Sequence, residues 1–253
     1  MLEAIDVEKR YSIRTKGHKH EFQAVKPTTL RIEEGASCAL VGESGSGKTT
    51  LSQMLMGLLP PTMGDILLDG RSIAGKSARR DRRIAAQLQM VLQDGKSALD
   101  PRFTVYDSIA EPIRNLLKLS RVRERELVMS LMERMELSEK HLNSRAGELS
   151  GGQQKRVCIA RAIAVSPRLI IFDEAVSGLD VVVRKHILDL LKALRREKPC
   201  AYLFVTHDMD VAMYMADTIH VMKEGHIVES IAYQGEQTAF MHPYSRLLVS
   251  SMV

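Results

Sequence analysis

Two stretches of this chain carry residues suited to handling phosphate. The first runs from Gly42 to Thr50 and fits the pattern G-x-x-x-x-G-K-[ST] of a phosphate-binding loop. Its glycines allow tight turns that present backbone N–H groups to an anion, Lys48 can reach the β- and γ-phosphates, and the Thr49 hydroxyl can reach Mg²⁺. The segment predicts binding of a nucleoside triphosphate with Mg²⁺ rather than a plain glycine-rich turn.

The second stretch is an apolar run, Leu169 to Phe172, that ends in Asp173 and Glu174. Because burying charge is costly, a buried strand rarely ends in two carboxylates without a use for them. Asp173 would hold Mg²⁺, directly or through water, and Glu174 would polarise an attacking water as general base. Alone, the pair also fits a solvated strand exit, but beside a phosphate loop it predicts hydrolysis of the triphosphate.

A strand, a turn and a helix must position the phosphate loop. Ala39 to Val41 reads as the end of a buried strand. The segment from Thr50 to Met56 predicts a helix whose N-terminal dipole favours an anion, and Pro60-Pro61 is expected to end it. Strands alternating with helical stretches predict an α/β core with a mostly parallel sheet. The predicted strands lie at residues 2–13, 22–34, 87–92, 168–173, 200–206 and 218–222, and residues 64–73 predict a strand followed by a turn.

Between about residues 95 and 164 the composition favours helices. Val122 to Leu137 has no Gly or Pro and is rich in Glu, Arg, Leu and Met. Leu127, Leu131 and Met135, and likewise Val128 and Met132, recur at i, i+4 spacing and predict an apolar face. Its methionines are expected in the core rather than in a partner groove.

A third motif points to a family. Leu149-Ser150-Gly151-Gly152-Gln153-Gln154-Lys155-Arg156 resembles the signature sequence of ABC-type ATPases. The spacing of the phosphate loop and the acidic pair also matches that family, and the resemblance runs from about Leu2 to the C-terminus. Four further positions resemble its other motifs: Gln93 its Q-loop glutamine, Asp180 its D-loop, His207 its switch histidine, and Tyr11 its adenine-stacking aromatic.

The resemblance implies a fold and a domain plan. We expect a P-loop NTPase (RecA-like) α/β core with an antiparallel β subdomain and an inserted α-helical subdomain. The chain would form one domain, 1–253, with residues 1–94 and 165–253 in the core and residues 95–164 in the helical subdomain.

The resemblance also implies a role for each motif. Two cassettes would pair head to tail around two ATP molecules, so that the phosphate loop of one faces the signature of the other. Glu174 and His207 would be catalytic, and Thr49, Gln93 and Asp173 would hold Mg²⁺. The nucleotide-binding set would comprise Tyr11, Gly42, Ser44, Gly45, Ser46, Gly47, Lys48, Thr49, Thr50, Gln93, Ser150, Gly151, Gly152, Gln153 and Asp180.

A closer resemblance is to the ATPase subunits of oligopeptide, dipeptide and nickel importers. It lies in three stretches: Gln93 to Arg102, Arg156 to Val165 followed by Asp173 to Ser177, and His242 to Leu248. Ala175 replaces the family's usual proline without touching the chemistry. The short segment after His-Pro-Tyr leads us to expect no iron–sulfur cluster and favours nickel or a metal chelate over peptides.

The implied partners are transmembrane permease subunits, a second ABC ATPase subunit (a heterodimer favoured, a homodimer open) and an extracytoplasmic substrate-binding protein. We expect the chain at the cytoplasmic side of the inner membrane. Leu92, Leu99, Pro101 and Phe103 are expected near the permease contact. The alternative is a soluble ABC ATPase of DNA repair or translation. A small-molecule kinase is discounted, because the signature residues and Asp180 would have no function in such an enzyme.

Composition excludes several classes. Hydrophobic residues make up 45% of 253 residues and charged residues 26%, which is ordinary for a globular protein. No segment approaches the roughly 20 apolar residues that span a bilayer. Cys38, Cys158 and Cys200 are too scattered for a zinc or disulfide framework.

The net charge of +5 includes a basic run at Lys76 to Arg83, which we interpret as a solvated helix face. Binding of this run to anionic lipid is the alternative, and binding to nucleic acid is not expected. His18 and His20 predict a solvated loop rather than a metal site.

Overall fold

The computed structural model describes residues 1–15, 18–75, 81–93, 98–197, 199–235 and 240–250. Most of the basic run from Lys76, and the Q-loop residues 94–97, lie outside the described residues. The chain divides into two compact units. The first comprises Met1–Asp81 and Ala201–Val253, and the second comprises Arg82–Cys200. The predicted boundaries at residues 95 and 164 differ from this division and stay a prediction about subdomains.

Ten strands and eight α-helices make up the described chain. The strands are β1 (Leu2–Thr15), β2 (His18–Ile32), β3 (Ser37–Val41), β4 (Met63–Leu68), β5 (Arg71–Ser72), β6 (Leu88–Val91), β7 (Leu169–Asp173), β8 (Ala201–Thr206), β9 (Thr218–Lys223) and β10 (His226–Ala232). The α-helices are α1 (Lys48–Leu55), α2 (Arg82–Gln87), α3 (Val105–Pro112), α4 (Arg121–Arg134), α5 (Gly151–Ile163), α6 (Val181–Glu197), α7 (Met209–Met215) and α8 (Pro243–Ser250). A π-helix spans Ile113–Leu117, and 3₁₀ turns span Glu139–His141 and Ala146–Glu148.

The first unit holds two sheets. One is antiparallel, in the order β2-β1-β4-β5. In the other, β3 pairs in parallel with β8 on one side and with β9 on the other, and β10 pairs antiparallel with β9. Every residue of β3 and β8 is buried, as expected of short apolar strands covered on both faces. The sequence predicted these strands except β10 and the two-residue β5, which lies where a turn after β4 was expected.

The β1–β2 hairpin corrects one expectation. Thr15 pairs with His18 and Ile13 pairs with His20, so both histidines belong to β2 rather than to a solvated loop between the strands. The β1–β2 pairing continues as far as Thr15 and His18, further than the sequence indicated. No group of three or more His, Cys, Asp or Glu side chains that could hold a metal occurs anywhere in the described part of the chain.

Helix α1 ends earlier than predicted. It ends at Leu55, and Gly57 follows in the left-handed conformation with φ 65°. The Met56 N–H bonds to the Ser52 carbonyl and the Gly57 N–H to the Met54 carbonyl, so the last turn closes before the prolines are reached. A glycine just past a helix is a frequent stop because it adopts positive φ without strain. Pro60-Pro61 therefore lies beyond the helix rather than ending it.

The second unit combines a parallel strand pair with helices. β6 pairs with β7 in register from Leu88–Leu169 to Val91–Phe172. The predicted helical stretch from residue 95 to 164 is confirmed in the described range by α3, α4 and α5. In α4 and just after it, Val128, Leu131, Met132 and Met135 are buried, so the methionines are core residues as expected.

An ion network ties α3 to α4. Arg114 donates to Glu124 at 2.9 Å and to Asp107 at 3.0 Å, and the Tyr106 hydroxyl donates to Glu124 at 3.0 Å. Hydrogen bonding to Arg114 lowers the pKa of the nearly buried Glu124 carboxyl. Buried charge is tolerated here because it is paired and hydrogen-bonded.

Across the described chain, no helix has the length and apolarity needed to cross a membrane.

Candidate functional site

In the first unit the phosphate loop and His207 lie at the same sheet edge. Val41 and Thr206 are partners in the parallel β3–β8 register. The loop that follows Val41 and the histidine that follows Thr206 therefore leave adjacent strands at their carboxyl ends. That edge is where open α/β sheets bind their ligands.

Two glycines of the loop sit where no other residue fits. A Cβ on Gly42 would lie 2.1 Å from the Met222 carbonyl oxygen. A Cβ on Gly47, which has φ 105°, would lie 2.5 Å from the Ala24 carbonyl oxygen. Since real Cβ atoms do not approach backbone this closely, these glycines are required by packing as well as by the turn. Sequence reasoning assigned them to the turn alone.

Lys48 is buried at the start of α1, and its ammonium group lies under the loop. Nζ donates to the carbonyl oxygens of Gly42 at 2.7 Å and Glu43 at 2.8 Å, and it lies 3.5 Å from Ser46 Oγ. The Gly225 N–H donates to the Ser46 carbonyl at 2.9 Å, which ties the loop to the β9–β10 turn. The loop is thus held in shape by its own lysine and by a neighbouring turn.

The remaining predicted loop residues differ in exposure. Ser44, Gly45 and Thr49 are exposed, Thr50 is half-buried, and Ser46 is buried. Exposed groups at the start of α1 lie where the helix presents unpaired backbone N–H groups, and an anion is favoured there.

His207 is exposed, and its two neighbours shape the turn that carries it. The Asp208 N–H donates to Thr206 Oγ1 at 3.0 Å. Asp208 in turn caps α7, because its Oδ1 accepts from the N–H groups of Asp210 at 2.9 Å and Val211 at 3.2 Å. The histidine is therefore presented to solvent by a fixed turn.

Tyr11 is exposed on β1 opposite another exposed aromatic. It pairs with Phe22 in the β1–β2 register, so the two side chains share a face. The Lys9 ammonium lies 5.4 Å from the Tyr11 ring centroid. Sequence reasoning did not identify Phe22. Its position opposite Tyr11 in a predicted hairpin could have indicated it.

In the second unit Gln93, Asp173 and Glu174 gather at one edge. Val91 and Phe172 are partners in the parallel register, so the residues that follow them leave adjacent strand ends. Asp173 is buried, Gln93 is exposed and Glu174 is half-buried.

The backbone of Glu174 is unusual. Its φ is 46°, a conformation that residues other than glycine rarely adopt. The Ser177 N–H and hydroxyl both hold the Glu174 carbonyl, at 3.1 Å and 2.8 Å. Such outliers persist where the surrounding structure enforces them, and they cluster at functional sites. Six other described residues besides glycine share this conformation, Glu224 among them, so the backbone fixes the position of Glu174 but does not by itself mark the residue as functional.

The signature sequence begins helix α5. Ser150 is the N-cap: its side chain accepts from the Gln153 N–H at 3.3 Å, while Gln153 Oε1 accepts from the Ser150 N–H at 2.9 Å. This reciprocal capping box fixes the helix start. Ser150 and Gly151 are exposed, and a Cβ on Gly151 would meet nothing within 4 Å.

A histidine that the sequence did not indicate supports the signature. Gln153 Nε2 lies 3.3 Å from His141 Nε2. Because Gln153 Oε1 is taken by the Ser150 N–H, the amide group faces the imidazole and the His141 nitrogen is the acceptor. The two residues are twelve apart on different elements, so only the fold brings them together.

Asp180 makes local hydrogen bonds at the start of a helix. Its Oδ1 accepts from the Val183 N–H at 2.9 Å, and the Arg184 N–H bonds to its carbonyl. It therefore caps the start of α6. Its predicted contact with nucleotide stays a prediction.

The expected permease contact needs one correction. Leu92 and Pro101 are exposed and Phe103 is half-buried, but Leu99 is buried at 3% exposure. Leu99 belongs to the core of its unit and is not available to a partner.

The proposed magnesium ligands have suitable chemistry. A hydroxyl, a side-chain amide oxygen and a carboxylate are hard oxygen donors, the type that Mg²⁺ selects, and Mg²⁺ commonly keeps several waters with one or two carboxylates. Thr49 is exposed at the first turn of α1, and Asp173 ends a buried strand. Each of these residues, considered within its own unit, has the chemistry of a magnesium ligand.

Comparison with known proteins identifies relatives along most of the chain. The family model described as ABC transporter matches residues 25–177. An oligopeptide transport ATP-binding protein from Lactococcus lactis is 38% identical over 90% of this chain and 72% of its own length. A nickel import ATP-binding protein from Escherichia coli O157:H7 is 37% identical over 100% of this chain and 94% of its own length.

Solved structures agree with these matches. A dimeric ATP-binding cassette in a post-hydrolysis state, bound to ADP and Pi, superposes with a TM-score of 0.82 at 28% identity, covering 93% of this chain and 100% of that one. The structure of CbiO1 from Clostridium perfringens, described as part of the ABC transporter complex CbiONQ, has a TM-score of 0.79 at 28% identity, covering 91% of this chain and 88% of its own. These likenesses confirm the predicted P-loop NTPase fold.

Proposed function

The chain belongs to the ABC transporter family of ATP-hydrolysing cassettes, and from that premise we propose that it is the ATPase subunit of an importer for nickel or a peptide. The observation that carries the proposal is the phosphate loop, held by its own buried Lys48 at the carboxyl end of β3. The named relatives are transport proteins, so they do not support the alternative of a DNA-repair or translation ATPase.

Binding of ATP would begin at the loop. Backbone N–H groups at the start of α1 would hold phosphate oxygens, and Lys48 would move from its carbonyl partners to the β- and γ-phosphates. Tyr11, with Phe22 on the same face, would stack on the adenine. These contacts would orient the triphosphate with its γ-phosphate toward His207.

Thr49, Gln93 and Asp173 would hold Mg²⁺. When bound to the phosphate oxygens, the ion would neutralise charge that develops as the terminal phosphate leaves. Asp173, buried at the end of β7, supplies the negative charge of this set.

Glu174 would act on the attacking water. Its carboxylate would accept a proton as the water oxygen bonds to the γ-phosphorus and the bond to the bridging oxygen of ADP breaks, releasing ADP and phosphate. His207, exposed at the end of β8, would contact the γ-phosphate and orient the water. The fixed backbone of Glu174 supports this role, because general bases must be held within hydrogen-bonding reach.

The exposed signature would serve a second cassette. Ser150, Gly151 and the N-terminus of α5 offer a hydroxyl and N–H groups to an anion. We propose that they grip the γ-phosphate bound by the partner cassette, a related chain or a second copy. Closure on ATP and opening after hydrolysis would then drive the permease, on which the cassette would sit peripherally at the inner membrane beside an external substrate-binding protein.

The chemical step is tested by Glu174→Gln. Removing the base should lower kcat at least about 100-fold while ATP affinity stays within a few-fold, because the amide keeps the shape but cannot take the proton. A matched control is Glu224→Gln. Glu224 also follows a strand with positive φ, at 47°, but lies exposed in a turn. Steady-state ATPase rates and calorimetric ATP binding give the comparison, and normal turnover in Glu174→Gln would overturn the assignment.

The transport role is tested in cells lacking this chain. Complementation with wild type, but not with Glu174→Gln, should restore uptake of either ⁶³Ni²⁺ or a labelled tripeptide. Isolation of the tagged chain from gently solubilised membranes should recover permease subunits. The proposal would be contradicted if the tagged chain were recovered with ribosomes or DNA, and if cells lacking the chain took up both cargos as well as wild-type cells do.

A further inference from the structure

The His-Pro-Tyr motif of the tail has no part in the proposed chemistry, yet His242 and Tyr244 both make specific contacts in the structure. His242 precedes α8, Pro243 is the first residue of the helix and Tyr244 follows. The Tyr244 N–H donates to His242 Nδ1 at 3.2 Å, and the Arg246 N–H bonds to the His242 carbonyl at 3.1 Å. Histidine thus caps the helix, and proline suits the first turn because its missing N–H would be unpaired there.

Helix α8 is anchored to β10. Glu229 Oε1 accepts from the N–H groups of Met241 at 2.7 Å and His242 at 3.1 Å. Burial acts to raise the pKa of the Glu229 carboxyl, but hydrogen bonding outweighs it and lowers the pKa overall, so Glu229 is ionised when it holds the segment. Arg246 Nε adds a bond to the Phe240 carbonyl at 3.0 Å. The start of α8 is therefore fixed by charge-assisted hydrogen bonds, which are stronger than neutral ones.

This anchoring aims the Tyr244 side chain at the phosphate loop. Tyr244 is buried at 6% exposure, and the Lys223 ammonium lies 4.8 Å from its ring centroid. Its hydroxyl oxygen accepts the Glu43 N–H at 3.1 Å. Burial raises the pKa of Tyr244, so the hydroxyl is neutral at physiological pH.

Glu43 is held from both sides. Its N–H is taken by Tyr244, while its carbonyl accepts from Lys48 Nζ at 2.8 Å and from the Ser46 N–H at 3.2 Å. One residue thus joins the tail helix to the lysine that the loop would use for phosphate. A rotation of the Glu43 backbone would change the carbonyl positions that Lys48 contacts.

We propose that Tyr244 is a positioning residue for nucleotide binding: it fixes the Glu43 amide and so sets the shape of the phosphate loop. The inference rests on the proposed role of that loop and extends it to the tail. The His-Pro-Tyr motif is then a device that caps α8 and sends one hydroxyl to the loop, rather than a tail that only packs.

The test is Tyr244→Phe in the full chain, which removes one oxygen and keeps the ring. The dissociation constant for ATP, measured calorimetrically with Mg²⁺, should rise about three- to tenfold, the range of one lost neutral hydrogen bond, while kcat at saturating ATP changes little. Amide hydrogen exchange at Glu43 should accelerate. The matched control is Tyr106→Phe, which loses a hydroxyl bonded to Glu124 in the other unit and should leave ATP affinity and Glu43 exchange unchanged.

Two results would overturn the inference. One is unchanged ATP affinity and unchanged Glu43 exchange in Tyr244→Phe. The other, open even if that variant fails to fold, is a wild-type Glu43 amide that exchanges as fast as an unbonded surface amide. Lys48→Ala separates the two levels: if it weakens ATP binding while Tyr244→Phe does not, only the tail inference fails, and if Lys48→Ala has no effect, the loop assignment fails.

Discussion

The phosphate loop and the signature sequence both begin helices and both use glycine, yet they are built in opposite ways. In the loop, added Cβ atoms at Gly42 and Gly47 would run into backbone oxygens, and Lys48 is buried among carbonyls. In the signature, Ser150 and Gly151 are exposed and a Cβ on Gly151 meets open space.

The difference shows which of the two elements is held in shape by neighbouring parts of its own unit. The loop is held by β9, by the β9–β10 turn and by α8, so its shape exists before any ligand arrives. The signature fixes only its helix start, through the Ser150–Gln153 capping box, and leaves its outer surface open. Such an element is suited to a ligand brought by another molecule, as proposed for the partner cassette.

The largest expected effect separates the two glycines. Gly47→Ala would force a left-handed residue against the Ala24 carbonyl and should lower the free energy of unfolding by about 3 kcal/mol or more, with loss of ATP binding. Gly151→Ala, in an open first helical turn, should change it by less than about 0.5 kcal/mol. Urea unfolding of both variants gives the comparison, and equal losses would show that the two elements are supported alike.

A second prediction concerns the strand that supports the loop. His220 on β9 is buried, its Nδ1 lies 2.8 Å from Ser230 Oγ, and burial lowers its pKa from 6.5 to about 4. The unfolded chain therefore takes up a proton first as pH falls. The free energy of unfolding is therefore unaffected by the protonation of His220 above about pH 6.5. It falls progressively towards pH 4, by up to about 3 kcal/mol.

Urea unfolding at pH 7.5 and pH 5 measures this effect. His220→Leu should lose part of the pH dependence, whereas His207→Asn, at an exposed position in the same unit, should keep it. An identical pH dependence in wild type and His220→Leu would exclude His220 as the cause.

The smallest expected effect sharpens the role of the signature. Ser150→Ala should cost about 1 kcal/mol by removing the N-cap, whereas Ser150→Asn and Ser150→Asp should keep the cap within about 0.5 kcal/mol. If Ser150 faces a phosphate, Asp should lower ATPase activity roughly tenfold or more relative to Asn, because like charges repel. Equal activity of the Asn and Asp variants would indicate that Ser150 only caps the helix.

Much of the site could be predicted because its chemistry is local in sequence. The loop from Gly42 to Thr50 and the acidic exit of β7 are contiguous, and the apolar strands that position them are short and buried throughout. The helical face of α4 followed from i, i+4 spacing, and Val128, Leu131 and Met132 are buried accordingly.

The misses have physical reasons too. Helix α1 ends at Leu55, because the left-handed backbone of Gly57 closes the helix before a proline is reached. Leu99 looked like a surface contact beside the exposed Pro101, but it is buried in its unit. β10 was not predicted, because its half-buried residues lack a clean apolar alternation and only pairing with β9 defines it.

By itself the sequence determined the candidate residues for binding and cleaving a triphosphate, since each motif is a short run whose spacing places donors, a lysine and carboxylates in fixed order. Only the tertiary structure decided what holds those residues in place. The Tyr244 hydroxyl meets an amide 201 positions away, and His141 meets Gln153 from a separate 3₁₀ turn. No local pattern encodes such pairs, because they form only when strands and helices that are distant in the chain pack together and leave one polar group within reach of another.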